Sequence, residues 1–128
     1  VNDCIFCRRD KLEIIAENEL ALAFKDRCPV SMGHSLVIPK RHVETYFDAG
    51  PEEHAAISSL VGQVSRFLQK DLNPDGYNIG ANVGEAAGQT VFHFHIHVIP
   101  RYRGDVADPR GGVRKVIPSG SCHPLDSE

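Results

Sequence analysis

At 128 residues, with 41% hydrophobic and 24% charged side chains, the chain has the composition of one ordinary globular domain, large enough to bury a core without disulfides. A net charge of −3 argues against a dedicated nucleic-acid binder, which carries a basic excess. No apolar run reaches the roughly 18 residues of a membrane-spanning helix, and Val1-Asn2-Asp3-Cys4 does not read as a signal peptide, so a cytoplasmic protein is expected.

The first feature in chain order is Cys4-Ile5-Phe6-Cys7, a C-x-x-C pair. In a reducing compartment such a pair reads as a metal half-site or a redox pair rather than half of a disulfide framework. A thioredoxin-like role wants the pair between a strand and a helix, whereas the polar run Arg8-Arg9-Asp10-Lys11 follows here. A second half-site made of histidines would decide for metal. Cys28 and Cys122 stand alone and receive no role, nor does His123.

Residues 13–17 and 20–26 read as two short strands joined at Asn18-Glu19. A connecting loop with Pro29 and Gly33 leads to a buried strand over 34–39, stopped by Pro39. From Pro51 to Leu72 the pattern is helical. Pro51 suits the first turn, Glu52 and Glu53 suit the positive end of the dipole, and Ile57, Leu60, Val61, Val64 and Leu68 make a core-facing stripe. His54, near the start of this helix, reads as a surface residue. Asn73-Pro74-Asp75-Gly76 is strong turn chemistry, and a strand follows over 77–83. The small-residue turn Gly84-Glu85-Ala86-Ala87-Gly88 then returns the chain as an antiparallel hairpin. Beyond Arg103 the sequence is loop-like, with one short strand expected over 113–117. Strands, helix, strands predicts an α+β fold with a mostly antiparallel sheet.

The second hairpin strand carries the most informative residues. In Thr90-Val91-Phe92-His93-Phe94-His95-Ile96-His97-Val98-Ile99, imidazoles alternate with aromatic and β-branched side chains. On a strand this period puts His93, His95 and His97 on one face, with Phe92, Phe94, Ile96 and Val98 turned to a core. The outer two rings are rooted about 13 Å apart, and a zinc–nitrogen bond is only about 2.0 Å long, so the three are not expected to share one ion. One terminal histidine can serve a metal while the others face a substrate.

This run, preceded by Asn82 and Gly88-Gln89 and accompanied upstream by Gly33-His34-Ser35-Leu36-Val37-Ile38-Pro39-Lys40-Arg41-His42, resembles the histidine triad superfamily of nucleotide hydrolases and transferases. The likeness covers about residues 4–103 of a single domain spanning 1–128, leaving 104–128 as an extended tail. It implies a five-stranded antiparallel sheet with one long helix, and a homodimer that extends the sheet, with Pro51–Leu72 at or near the interface. Gly88-Gln89-Thr90-Val91, and Ile99-Pro100-Arg101 followed by Gly104-Asp105, are most similar to the fragile-histidine-triad branch, which cleaves dinucleoside polyphosphates. Asp26 after Leu20-Ala21-Leu22-Ala23-Phe24 is closer to the purine nucleoside phosphoramidases.

The resemblance implies roles. His95 is the nucleophile that forms a covalent nucleotidyl-histidine at the α-phosphorus, its other nitrogen held by a backbone carbonyl. Catalysis is shared with His97 and Gln89; His97, Gln89, Thr90 and Asn82 contact phosphate or leaving-group oxygens, His34 lies near the nucleotide, and Asp26 accepts from ribose. For Asp26 the competing reading is a turn carboxylate before Arg27. The C-x-x-C pair finds partners in His42 and His93, so that Cys4, Cys7, His42 and His93 hold a structural zinc, with no catalytic metal expected. Arg101, Arg103, Arg110, Arg114 and Lys115 are either solvated charges or local positive charge for a polyphosphate. Three functions compete: dinucleoside polyphosphate hydrolysis, nucleoside phosphoramidate hydrolysis, and nucleotide binding with weak catalysis.

Overall fold

The structure, a computed structural model, describes residues 3–118. Cys122 and His123 lie outside the described residues, as does the end of the tail. Five strands form one antiparallel sheet. They are β1 (Ile14–Glu17), β2 (Ala21–Lys25), β3 (Ser35–Pro39), β4 (Gly76–Gly80) and β5 (Ile96–Arg101), and they lie side by side in the order β1-β2-β3-β5-β4. The fold is α+β, with the single long helix α1 (Pro51–Leu72) laid across one face.

Helix α1 begins where its chemistry says it should. Pro51 opens it, Glu53 accepts the Gly50 N–H at 2.8 Å, and the Arg41 guanidinium grips the same carboxylate at 2.7 and 3.0 Å. Asn73 stops it in the left-handed region at φ 51°. Ile57, Leu60, Val64 and Leu68 are buried against Ala21, Ala23, Val37 and Val98 of the sheet, while Val61 packs at the margin. His54 is half-buried rather than on the surface: its ring lies 4.5 Å from Tyr46 and 5.7 Å from Phe94.

The other face of the sheet presents Leu22, Phe24, Leu36 and Ile38 to the N-terminal segment, whose Phe6 completes a second, smaller core. Between β1 and β2, Asn18 Oδ1 accepts the Leu20 and Ala21 N–H groups and fixes the turn. Gly33, just before β3, has φ +92°, and a Cβ there would lie 2.8 Å from Leu72 and 3.1 Å from Leu68. Gly33→Ala is therefore expected to cost about 2–4 kcal/mol, read as a lowered melting temperature.

Three expectations need correction. The strand read over 77–83 ends at Gly80. The histidine strand begins only at Ile96. In the continued β3–β5 register Phe94 would face Pro39, which has no N–H to pair, and the His93 and Val91 carbonyls are taken by side chains instead. The faces still alternate, with Phe94, Ile96 and Val98 on the helix side, but Phe92 is 39% exposed and not in the core. Residues 113–117 are not a strand. Gly111 and Gly112, both at positive φ, turn the chain into a short 3-10 segment, Gly112–Val116, which packs on β4 of its own sheet. Among the described residues no helix is long and apolar enough to cross a membrane.

Candidate active site and metal centre

The Cys4–Cys7 turn is closed by a Cys7 N–H bond to the Cys4 carbonyl and sits beside the end of β3. Cys4 Sγ lies 3.4 Å from His93 Nδ1, and Cys7 Sγ lies 3.3 Å from His42 Nδ1 and 3.5 Å from His93 Nδ1. All four donor atoms fall within 4.8 Å of one another. Ligands on zinc at about 2.3 Å (S) and 2.0–2.1 Å (N) in tetrahedral geometry stand about 3.5 Å apart, so these donors already occupy the corners. His93 Nε2 donates to the Pro39 carbonyl at 2.9 Å, which leaves the Nδ1 lone pair pointing at the thiols. Burial drags the His93 pKa down to about 4, keeping the ring in its neutral, ligating form. The Cys7 thiol is pushed up, first by burial and then by Cys4, a burden that a dication lifts. The residues fit a closed structural zinc site. No disulfide joins the described cysteines.

His93 also touches the second centre, through its backbone. Its carbonyl accepts from His95 Nδ1 at 2.8 Å. His95 Nε2 therefore carries the free lone pair. The ring is 8% exposed, and Phe6 stands nearly perpendicular to it with centroids 5.2 Å apart. Burial lowers the His95 pKa against the opposing pull of the His93 carbonyl and Asp26, so the neutral form dominates at pH 7.

His97 lies beside it, ring centroids 5.1 Å apart. A chain of hydrogen bonds fixes its tautomer. The Val30 N–H donates to His34 Nδ1 at 3.1 Å, so His34 carries its proton on Nε2. That proton is offered to His97 Nδ1 at 2.9 Å, with Asp26 Oδ2 at 3.3 Å on its other side. His97 Nδ1 accepts, and its Nε2–H is left to donate outward. Burial and the neighbouring His95 and His34 hold the His97 pKa down at about 4. Asp26, His34 and His97 are close enough to suggest a second metal site. The Val30 N–H rules it out: an ion on His34 Nε2 would need the proton on Nδ1, where a backbone donor already points.

Asp26 is a turn carboxylate as well as a neighbour of His34, its Oδ1 accepting the Cys28 N–H at 2.8 Å. Asn82 and His97 line one cavity beside β4, and Thr90 is exposed in the turn that follows Gly88. Gln89 departs from expectation. Its amide is buried and spent on the backbone, donating to Glu44 O at 2.6 Å and Val91 O at 3.1 Å and accepting from Gly84 N–H at 2.9 Å. It braces the loop under the histidines instead of reaching substrate. Of the tail cations, Arg101 is bound to Asp105 and Asn78, and Arg110 to Asp108. Phe6, Val30 and the Pro39 carbonyl were not singled out by sequence. Only Phe6 left a trace there, as an aromatic between two cysteines.

Comparison with known proteins agrees with this geometry. A model of the HIT domain matches residues 8–104. The chain is 42% identical to adenosine 5'-monophosphoramidase hnt1 of Schizosaccharomyces pombe, over 77% of this chain and 74% of the relative. It is 41% identical to adenylylsulfatase HINT3 of Arabidopsis thaliana, over 81% of this chain and 55% of the relative. The crystal structure of a Zn-bound histidine triad family protein from Mycobacterium smegmatis superposes with a TM-score of 0.76 at 38% identity, covering 84% of this chain and 81% of that one. With a sheet and helix of the same kind and a domain match over most of its length, the chain belongs to the HIT domain family, the histidine triad superfamily.

Proposed function

We propose that this protein hydrolyses nucleotide conjugates at the α-phosphorus by way of a nucleotide covalently bound to His95. The observation that carries this reading is the free Nε2 of His95, set by the 2.8 Å bond from Nδ1 to the His93 carbonyl and flanked by the outward N–H of His97. In the first step Nε2 bonds to phosphorus and the bond to the leaving group breaks; His97 Nε2–H hydrogen-bonds the departing atom, which draws its proton from solvent, so His97 stays neutral. In the second, water attacks phosphorus and passes a proton to solvent, the P–N bond breaks and returns the lone pair to His95 Nε2, and nucleoside monophosphate leaves. Two in-line displacements give net retention at phosphorus.

Asp26 would accept from the ribose hydroxyls, His34 would hold the His97 tautomer, and Asn82 and Thr90 would donate to phosphate oxygens. Cys4, Cys7, His42 and His93 would hold a zinc that fixes the N-terminus and orients His93. It takes no part in either step. Dinucleoside polyphosphates are the substrates favoured by the Gln89-Thr90-Val91 segment. Phosphoramidates are favoured by Asp26 and by the name of the fission-yeast relative. The chain would work in the cytoplasm as a twofold dimer, its apolar contacts drawn from half-exposed Phe67 on α1 and from the edge of the sheet.

Rapid quenching in base during turnover, followed by peptide mass spectrometry, tests the proposal. The peptide bearing His95 should gain one nucleotidyl group at a rate no slower than kcat. Product release with no such adduct at any time would overturn it.

A further inference from the structure

The segment bearing Cys4 and Cys7 meets the sheet through its side chains. Among the described residues its main-chain hydrogen bonds stay within it, from Cys7 to Cys4, Arg9 to Cys7, Lys11 to Arg8 and Leu12 to Arg9. Cys4, Phe6 and Leu12 pack with Leu22, Phe24, Leu36 and Ile38, and burial of this kind has no direction. Metal ligands need more. Their distances are fixed to about 0.2 Å, so a centre built from two separate stretches of chain gains from a directional tie between them.

Arg9 supplies such a tie. Its Nη1 donates to the carbonyl of Phe6, which lies between the two cysteines, and its Nη2 donates to the Lys40 carbonyl at 2.5 Å. Lys40 stands between Pro39, whose carbonyl accepts from His93 Nε2, and His42, whose Nδ1 faces Cys7. The Lys40 N–H donates in turn to the Leu20 carbonyl at 2.8 Å, so the acceptor peptide is itself anchored beside β2. One planar group therefore joins the stretch that carries the thiols to the stretch that carries His42 and orients His93. Arginine suits this place because two donors in a rigid fork meet two acceptors, whereas an ammonium is a single point charge.

We propose that Arg9 is a positioning residue for the metal centre: its guanidinium clasps the Cys4–Cys7 turn at binding distance from His42 and His93, and so sets how long the ion is retained. The inference rests on the zinc reading given above for these four ligands, and it is independent of the chemistry at His95.

The test uses the full chain purified with its metal. Zinc captured by an excess of the chromogenic chelator 4-(2-pyridylazo)resorcinol is followed by absorbance, and the rate of release is the readout. Arg9→Gln should release zinc about 10-fold faster or more, the scale of losing a partner that orients a metal's ligands. Arg9→Lys keeps the charge and loses the fork, and it should release zinc nearly as fast as Arg9→Gln. Val64→Ala controls for general loss of stability, since Val64 is buried in the helix–sheet core, away from every zinc ligand. It should melt lower than wild type and still release zinc at the wild-type rate. Where an Arg9 variant purifies without metal, cobalt(II) titrated into that variant and into metal-stripped wild type reads the same loss, as a dissociation constant raised about 10-fold or more. Release from Arg9→Gln at the wild-type rate, full recovery in Arg9→Lys, or equal acceleration by Val64→Ala would each overturn the clasp and leave the zinc reading standing. A wild-type chain that purifies without zinc and gives no cobalt spectrum would remove the centre itself, and the clasp with it.

Discussion

Replacing His95 by alanine should lower kcat by about 10⁴-fold or more with little change in KM. In the proposed mechanism the ring forms the bond to phosphorus while other groups hold the nucleotide, so the loss should fall on the chemical step and not on binding. The single-turnover burst should vanish with it. His97→Ala should be milder, about 10²- to 10³-fold, because a hydrogen-bond donor to the departing atom is lost while the nucleophile remains. Its loss should grow as the leaving group becomes more basic. If His95→Ala retains more than about one part in a hundred of wild-type kcat, the covalent route is wrong, whatever the fold.

Cys7→Ser should be the most damaging change to stability. A serine hydroxyl stays protonated at neutral pH and does not replace a thiolate on zinc. Cys7 stands against both His42 and His93, so its loss removes a corner of the tetrahedron that both imidazoles face. Zinc content by plasma emission should fall from about one per chain to a small fraction, and the melting temperature by about 10 °C or more. Activity should fall too, through kcat more than KM, because the His93 carbonyl aims His95. A variant that melts within about 2 °C of wild type and keeps its kcat would remove the metal from any anchoring role.

Helix α1 was readable to the residue because its signals are local: Pro51 and two acids at one end, a stripe of period 3.6, and Asn73-Pro74 at the other. The sheet and its α+β class followed from alternation in the same way. Alternation also misled. It reports which way side chains face, not whether the backbone is paired, and so it carried the last strand from Ile96 back to Thr90, through a segment whose faces alternate without a ladder. What lies between sequence-distant groups was not visible. Gln89 announces three hydrogen-bonding sites but not that Glu44, Val91 and Gly84 will use them. Val30 looks like a loop valine, and only folding brings its N–H to His34, 3.1 Å away. The grouping of Cys4 and Cys7 with His42 and His93 was expected through resemblance. No spacing rule spans the 89 positions separating Cys4 from His93.

That contact from Val30 has a consequence for how so small a chain manages its imidazoles. Four of them fall in two donor clusters, His42 and His93 beside two thiols and His34 and His97 beside a carboxylate. A main-chain amide does not titrate, so the proton it imposes on His34 Nε2 does not depend on pH in the way a side-chain partner's would. The cluster with two thiols is left open to an ion, and the cluster with a carboxylate is closed by the proton its His34 already holds toward His97.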